Sequence, residues 1–397
     1  RGGAARARAR AEMRRNASTR RNGTRGCRAT PTHTGSSELR VLHSNGLATP
    51  YRVSVPHGYQ PHTAAWPLLL ALHGWGMPHE SESGWHEHGR ANGYVVVTPQ
   101  GFSEGLGPSW NGAGSIGSPS RNGATCTRPH AASAFCYPSC GKCGDGCWWT
   151  TCHDSVGQIA ALLDEVMGRW CIARGAVYAA GLSNGGGFLF ELARDKRTSG
   201  RIAAYFPTNG LPHAGFNSAP AHRPASLLGL WGARDTFMPP LANTAVAGHP
   251  GDPEVSVDTY FGANGTGWFF TVARSVTSLW ARANNCADAA PSPLDLSALL
   301  SGGVPASARL ECVGWTRCSG GARVVECIHG GEHEPPPWRG SLFWRFARGE
   351  WPARRRRVPG HGVPSVVHEP PSRPRAGRVA GHGAGQSPKN GPAWRIP

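Results

Sequence analysis

The sequence predicts an α/β chain: a mostly parallel central sheet flanked by helices, interrupted by a cysteine-rich inserted loop. Three observations carry that expectation. Solid apolar segments of strand length alternate with segments of helical period. The residues with catalytic chemistry follow the apolar segments, and open α/β sheets place their sites at the carboxyl ends of strands. Six of the twelve cysteines fall in one Gly-, Ser- and Pro-containing stretch, 112–152, which breaks the alternation.

The elements read as follows. Residues 51–55 (YRVSV) alternate with period two, as a half-buried strand does. Residues 67–72 and 94–97 are unbroken apolar runs, as in strands buried on both faces, and end in His73-Gly74 and Pro99-Gln-Gly101. Across 154–170, Val156, Ile159, Leu162, Leu163 and Val166 share one helical face, with Asp154 or Ser155 available as the cap. A short strand at 176–179 precedes a helix through 188–194, and strands follow at 203–206 and 226–231. A helix is expected over 271–283, then late strands at 309–312 and 323–328.

The domain is expected over 36–350, between two disordered basic tails at 1–35 and 351–397. The formal charge of +17 resides in those ends: residues 1–28 and 345–397 carry +9 each, leaving −1 for the rest. A nucleic-acid-binding domain would carry its basic patch on the folded body, so no nucleic-acid partner is expected. No apolar run approaches the roughly 18 residues of a membrane span. Twelve cysteines favour disulfides and an oxidising, extracellular location, although no signal peptide is visible in 1–28. Cys140, Cys143 and Cys147 have zinc as the alternative to disulfides, without the usual paired CxxC spacing. Asn16, Asn22 and Asn264 begin glycosylation sequons.

Gly181-Leu-Ser183-Asn-Gly185 is a G-x-S-x-G between an apolar strand and a helix, the context a nucleophile elbow requires. A serine hydroxyl is a weak nucleophile and needs an adjacent base, itself oriented by an acid. In chain order, Asp235 after the 226–231 strand is the candidate acid, with Asp252 and Asp258 as fallbacks. His333, in the Gly330-Gly-Glu-His loop, is the candidate base, with His329 as its rival. The oxyanion requires two backbone N–H groups, for which Asn184 and Trp75 are the candidates. His73 and Gly74 are read as supports of that loop. Trp110, Trp148 and Trp149 either line an aromatic cleft or fill the core.

Together these segments resemble the secreted α/β-hydrolase esterase family that includes polyhydroxybutyrate depolymerases and feruloyl or acetylxylan esterases. The resemblance covers roughly residues 38–345, through RVSVP at 52–56, PLLLALHG at 67–74, VVVTPQG at 95–101, SWN at 109–111, CIARGAVY at 171–178, GLSNGG at 181–186 and GEH at 331–333. It implies an α/β-hydrolase fold, Ser183, Asp235 and His333 as a triad, a secreted location, and no metal or organic cofactor. The implied substrate is a carboxylic ester, either a feruloyl or acetyl ester of plant-type polysaccharide or a polyhydroxyalkanoate polymer. The sequence departs from the family around Asp154, at Glu334-Pro-Pro-Pro-Trp338, and in the length of the 112–152 insertion. Two readings compete: a catalytically inactive binding protein on the same fold, and a protein attached to acidic polymers by its basic tails.

Overall fold

Asn45 and Gly46 both adopt positive φ (53° and 76°), forming a two-residue connection whose twist suits a hairpin. That hairpin, β1 (Ser37–Ser44) and β2 (Leu47–Ser54), starts one edge of a ten-stranded sheet. The structure is a computed structural model that describes residues 25–28, 37–61, 64–121, 123–127, 135–143, 146–243, 254–261, 267–296, 300 and 309–350. The expected tails lie almost wholly outside these residues. Within the first, Arg25–Arg28 forms a 3-10 turn, and Cys27 is disulfide-bonded to Cys171.

The remaining elements, in chain order, are β3 (Trp66–Leu72), α1 (Ser83–Asn92), β4 (Val95–Pro99), α2 (Ser155–Arg169), β5 (Ile172–Leu182), α3 (Asn184–Arg194), β6 (Ala204–Thr208) and β7 (Ser226–Gly232). There follow β8 (Val255–Val257), β9 (Phe269–Thr271), α4 (Ala273–Ala283), β10 (Ser292–Leu294), β11 (Glu311–Trp315), β12 (Val324–His329) and α5 (Arg339–Ala347). The sheet order is β1-β2-β4-β3-β5-β6-β7-β12-β11-β10, and β8 pairs with β9 separately. All neighbours from β4 through β12 are parallel, whereas β1–β2, β2–β4, β12–β11 and β11–β10 are antiparallel. The first eight strands of this order have the topology of the α/β-hydrolase fold.

Strand alternation sorts the core into two layers. Leu68, Leu70, Leu72, Val177 and Leu227 face one side and pack with Ile159 and Leu163 of α2, Phe188 of α3 and Trp280 of α4. Leu69, Ala71, Val96, Leu228, Leu230 and Val325 face the other and pack with Trp85 of α1 and Phe343 and Phe346 of α5. Asp154 caps α2, its Oδ1 accepting the Gly157 N–H at 2.9 Å.

Several boundaries differ from expectation. The strand expected at 176–179 extends over Ile172–Leu182, and the helix expected from 271 begins at Ala273 because Phe269–Thr271 is strand β9. The late strand expected at 309–312 runs over Glu311–Trp315.

Within the 112–152 insertion the disulfides are Cys126–Cys147, Cys136–Cys143 and Cys140–Cys152. Cys140, Cys143 and Cys147 are thus consumed by disulfides, which removes the zinc alternative. The insertion is also sewn to the body, because Thr127 N–H donates to Gly267 O and Trp268 Nε1–H donates to Cys147 O. Cys286–Cys318 and Cys312–Cys327 complete six bonds.

Candidate active site

β5 ends and α3 begins on either side of Ser183, leaving no room for an ordinary turn. Ser183 takes φ 53° and ψ −119°, a conformation that L-residues adopt only under tertiary constraint. The glycines flanking it are steric necessities. A Cβ on Gly181 would lie 2.3 Å from Gly185 O, and one on Gly185 would lie 2.5 Å from His73 O. The serine is thereby held up at the carboxyl edge of the sheet, partly exposed.

The carboxyl ends of β7 and β12 supply the other two groups. His333 Nε2 lies 2.8 Å from Ser183 Oγ, and His333 Nδ1 lies 2.7 Å from Asp235 Oδ2. The carboxylate makes Nδ1 the protonated nitrogen, leaving Nε2 to accept the serine hydroxyl proton. Asp235 has a fully buried side chain, and its Oδ1 accepts N–H groups from Phe237 and Met238, both at 2.9 Å. An imidazole so placed can take a proton from serine while the buried carboxylate stabilises the resulting imidazolium.

The fallback and rival residues lie elsewhere. Asp258 is buried and accepts the Phe261 N–H at 2.9 Å, and burial raises its pKa to about 7. His329 Nδ1 accepts the Gly331 N–H at 3.0 Å and so shapes the loop that carries His333. Asp252 lies outside the described residues.

The loop after β3 packs directly on the serine, since a Cβ on Gly74 would approach Ser183 Cβ to 3.3 Å. His73 is fully buried, and that burial lowers its pKa to about 4, so its ring is neutral near pH 7. Its Nε2 accepts the Gly101 N–H at 2.9 Å, so Nδ1 carries the proton and donates to Gly74 O at 2.7 Å. In a planar trans peptide the N–H opposes the C=O, so fixing Gly74 O also fixes the direction of the Trp75 N–H. Asn184 heads α3, where the first backbone N–H groups have no partner inside the helix.

Of the three tryptophans, Trp110 is wholly buried and belongs to the core. Trp148 and Trp149 are half-buried; Trp149 Nε1–H donates to Nε2 of buried His213 at 2.8 Å. The aromatic surface beside the serine comes instead from residues the sequence did not single out. Phe237 lies 4.8 Å from the His333 ring and stacks at 4.0 Å on Tyr260. Phe261 and Phe135 continue the array to Trp75.

Asn209 is a further residue beside the site. It is buried at φ 46°, its Oδ1 accepting the Gly232 N–H at 2.9 Å and its Nδ2 donating to Glu332 O at 3.3 Å. It therefore ties the end of β7 to the His333 loop. Its one sequence signal is the Asn209-Gly210 pair directly after a strand.

No protein-family model matches the chain, and no curated protein matches its sequence. Similar solved structures include a ferulic acid esterase, at 19% identity over 44% of this chain and 58% of that one, with a TM-score of 0.29. An acetyl xylan esterase from Aspergillus awamori is 14% identical over 77% of this chain and all of its own, with a TM-score of 0.45. A thermostable carboxylesterase cloned from a metagenomic library is 16% identical over 50% of this chain and 55% of its own, with a TM-score of 0.29. The chain thus spans less than two thirds of the ferulic acid esterase and of the metagenomic carboxylesterase. Among the described residues, no helix is long and apolar enough to cross a membrane.

Proposed function

We propose that this chain is a serine esterase that hydrolyses carboxylic esters through an acyl-enzyme. The observation that carries the reading is the unbroken hydrogen-bonded path from Ser183 Oγ through His333 to buried Asp235, at 2.8 and 2.7 Å.

Ser183 Oγ attacks the ester carbonyl carbon as its proton passes to His333 Nε2. The carbonyl π pair moves onto oxygen, and the backbone N–H groups of Trp75 and Asn184 receive that oxyanion. The intermediate collapses with loss of the alkoxy group, which takes the proton from His333. A water then gives its proton to His333 and attacks the acyl carbon, and the acid leaves as Ser183 regains its proton. Asp235 holds the imidazole in the required tautomer and stabilises its charged form. No step in this scheme calls on a metal or an organic cofactor.

Feruloyl or acetyl esters of plant-type polysaccharide, or polyhydroxyalkanoate esters, are the proposed substrates. The aromatic array from Phe237 to Trp75 supports a substrate with a planar or ring-bearing part. Six disulfides support a secreted protein, and residues 36–350 are the proposed esterase domain. The purified chain is expected to hydrolyse members of a feruloyl, acetyl-xylan and hydroxybutyrate ester panel and to label with a fluorophosphonate probe. Ser183→Ala should abolish labelling and lower kcat by about 10⁴-fold or more. Undiminished hydrolysis by Ser183→Ala would refute the assignment, and a wild-type chain inert to both ester and probe would favour a binding role.

A further inference from the structure

Trp110 is fully buried, with its ring stacked on Phe188 (5.6 Å between centroids, planes 9° apart) and tilted against His73 at 4.9 Å. Packing alone would account for a buried tryptophan, but two further sets of bonds go beyond packing. The Trp110 backbone is bound by a side chain: its N–H donates to Asn184 Oδ1 at 2.8 Å, and its carbonyl accepts from Asn184 Nδ2 at 3.0 Å. Its indole Nε1–H donates to the carbonyl of His73 at 3.0 Å. One residue therefore grips the head of α3 through its backbone and the end of β3 through its ring.

Those two places carry the amides assigned to the oxyanion. Asn184 supplies one from the elbow. The other belongs to Trp75, two residues beyond the carbonyl that Trp110 holds and fixed through the His73–Gly74 hydrogen bond. The two amides come from separate loops with no covalent link nearby, yet oxyanion stabilisation depends on donors fixed in place before charge develops.

We propose that Trp110 is a positioning residue that bridges the two oxyanion-binding loops and holds their amides at a set separation. The proposal rests on the serine-esterase reading. It assigns Trp110 no contact with substrate, and its indole N–H acts only through His73.

Trp110→Phe tests this, because phenylalanine retains most of the packing and the backbone pair with Asn184 while removing the indole N–H. The purified full chain is assayed with p-nitrophenyl acetate for kcat and KM, and with an aryl trifluoromethyl ketone for Ki. On binding, Ser183 Oγ bonds to the ketone carbon, the C=O π pair becomes an oxyanion, and the serine proton moves to His333 Nε2. Wild type and Trp110→Phe are compared with Phe188→Leu, which removes the stacking partner and leaves the indole bond in place. Trp110→Phe should lower kcat/KM about tenfold and raise Ki by the same factor, with KM within about twofold. This is less than the 10²–10³-fold loss on removing a donor itself. Phe188→Leu should lower the melting temperature while leaving Ki within about twofold of wild type. Should Trp110→Phe fold poorly, 3-benzothienylalanine at 110 keeps the ring shape without the N–H and should give the same shift.

An unchanged Ki in an N–H-deficient, folded variant overturns the proposal, as does an equal rise in Ki for Phe188→Leu. Ser183-dependent hydrolysis in wild type together with either result overturns this inference alone. A wild-type chain without Ser183-dependent hydrolysis overturns the esterase reading and the inference together.

Discussion

Acidification is a perturbation whose effect on stability can be worked out from four buried groups. Burial lowers the pKa of His73, His86 and His213 to about 4 each, and each ring already has hydrogen-bond partners suited to its neutral form. An unfolded histidine titrates near 6.5, so between pH 6.5 and 4 unfolding takes up three protons. Stability from these groups is therefore full above pH 6.5 and lost as pH falls toward 4. Asp258 acts in the opposite sense. Burial raises its pKa to about 7, with the nearby charge of Asp235 adding to the shift, so over the same window unfolding releases its proton. From these four groups the net uptake is two protons, a slope of about 2.7 kcal/mol per pH unit. His79, His88 and His329 are lowered by burial and steepen the slope, while buried Glu82 is raised and opposes it. The assay is urea unfolding of the oxidised chain at half-unit steps from pH 7 to 4.5. Asp258→Asn removes the opposing proton, which should bring the slope to about 4 kcal/mol per pH unit. At pH 8 it also removes the cost of ionising a buried carboxylate, offset in part because Asn has one acceptor oxygen for the Phe261 and Trp268 N–H groups. Stability that is flat between pH 6.5 and 4.5, or an Asp258→Asn slope equal to that of wild type, would refute the reasoning.

Two further substitutions probe how the proposed triad is held. Asp235→Asn keeps the shape of the acid but turns an N–H toward His333 Nδ1, favouring the tautomer that cannot accept the Ser183 proton; kcat should fall by about 10⁴-fold in steady-state ester hydrolysis. Asn209→Ala removes the bonds to Gly232 and Glu332 and should cost about 1–3 kcal/mol by urea unfolding. The same variant should lower kcat/KM by roughly tenfold, because the His333 loop loses one of its ties to the end of β7 and keeps only the backbone bonds from Ala233 and Arg234. Unaltered kinetics in Asn209→Ala would mean that His329 and Gly331 suffice to hold that loop.

The parallel strands were legible in the sequence because both their faces are covered. Buried on two sides, β3, β4 and β7 read as continuous apolar runs and need no periodicity. By contrast, α1 was illegible. It buries only Trp85, His86 and Gly89, and its identity rests on particular contacts, such as Trp85 Nε1–H to Glu82, that composition does not encode. At β1, the solvent-facing Leu39 and Val41 blur the alternation of a half-buried strand, although the Asn45-Gly46 pair was an available hairpin signal. Strands β8, β9 and β10 have three residues each, too few for any period. In the candidate site, Ser183 and its neighbouring loops stood out because their chemistry is concentrated in short motifs. Asn209 did not, since its partners lie 23 and 123 positions away, and a buried amide takes its meaning only from where those partners fold.

The sheet order explains how residues so far apart in sequence meet. His333 is 150 positions from Ser183 and 98 from Asp235. Yet β5, β6, β7 and β12 are successive parallel neighbours, so their carboxyl ends share one edge. Loops leaving those ends need only a few residues to converge. Of the disulfides, one enters this arrangement, at β12, and the others lie outside the four strands. The inner parallel strands β5, β6 and β7 are secured by two apolar layers. Three of the bonds close the insertion, Cys27–Cys171 ties a distant N-terminal turn to the start of β5, and Cys312–Cys327 joins β12 to its antiparallel neighbour β11. In that last pair, β12 is held on one side by parallel pairing to β7 and on the other by a covalent bond. The strand that delivers His333 is thus fixed on both edges, which suits a proposed base held 2.8 Å from Ser183 Oγ.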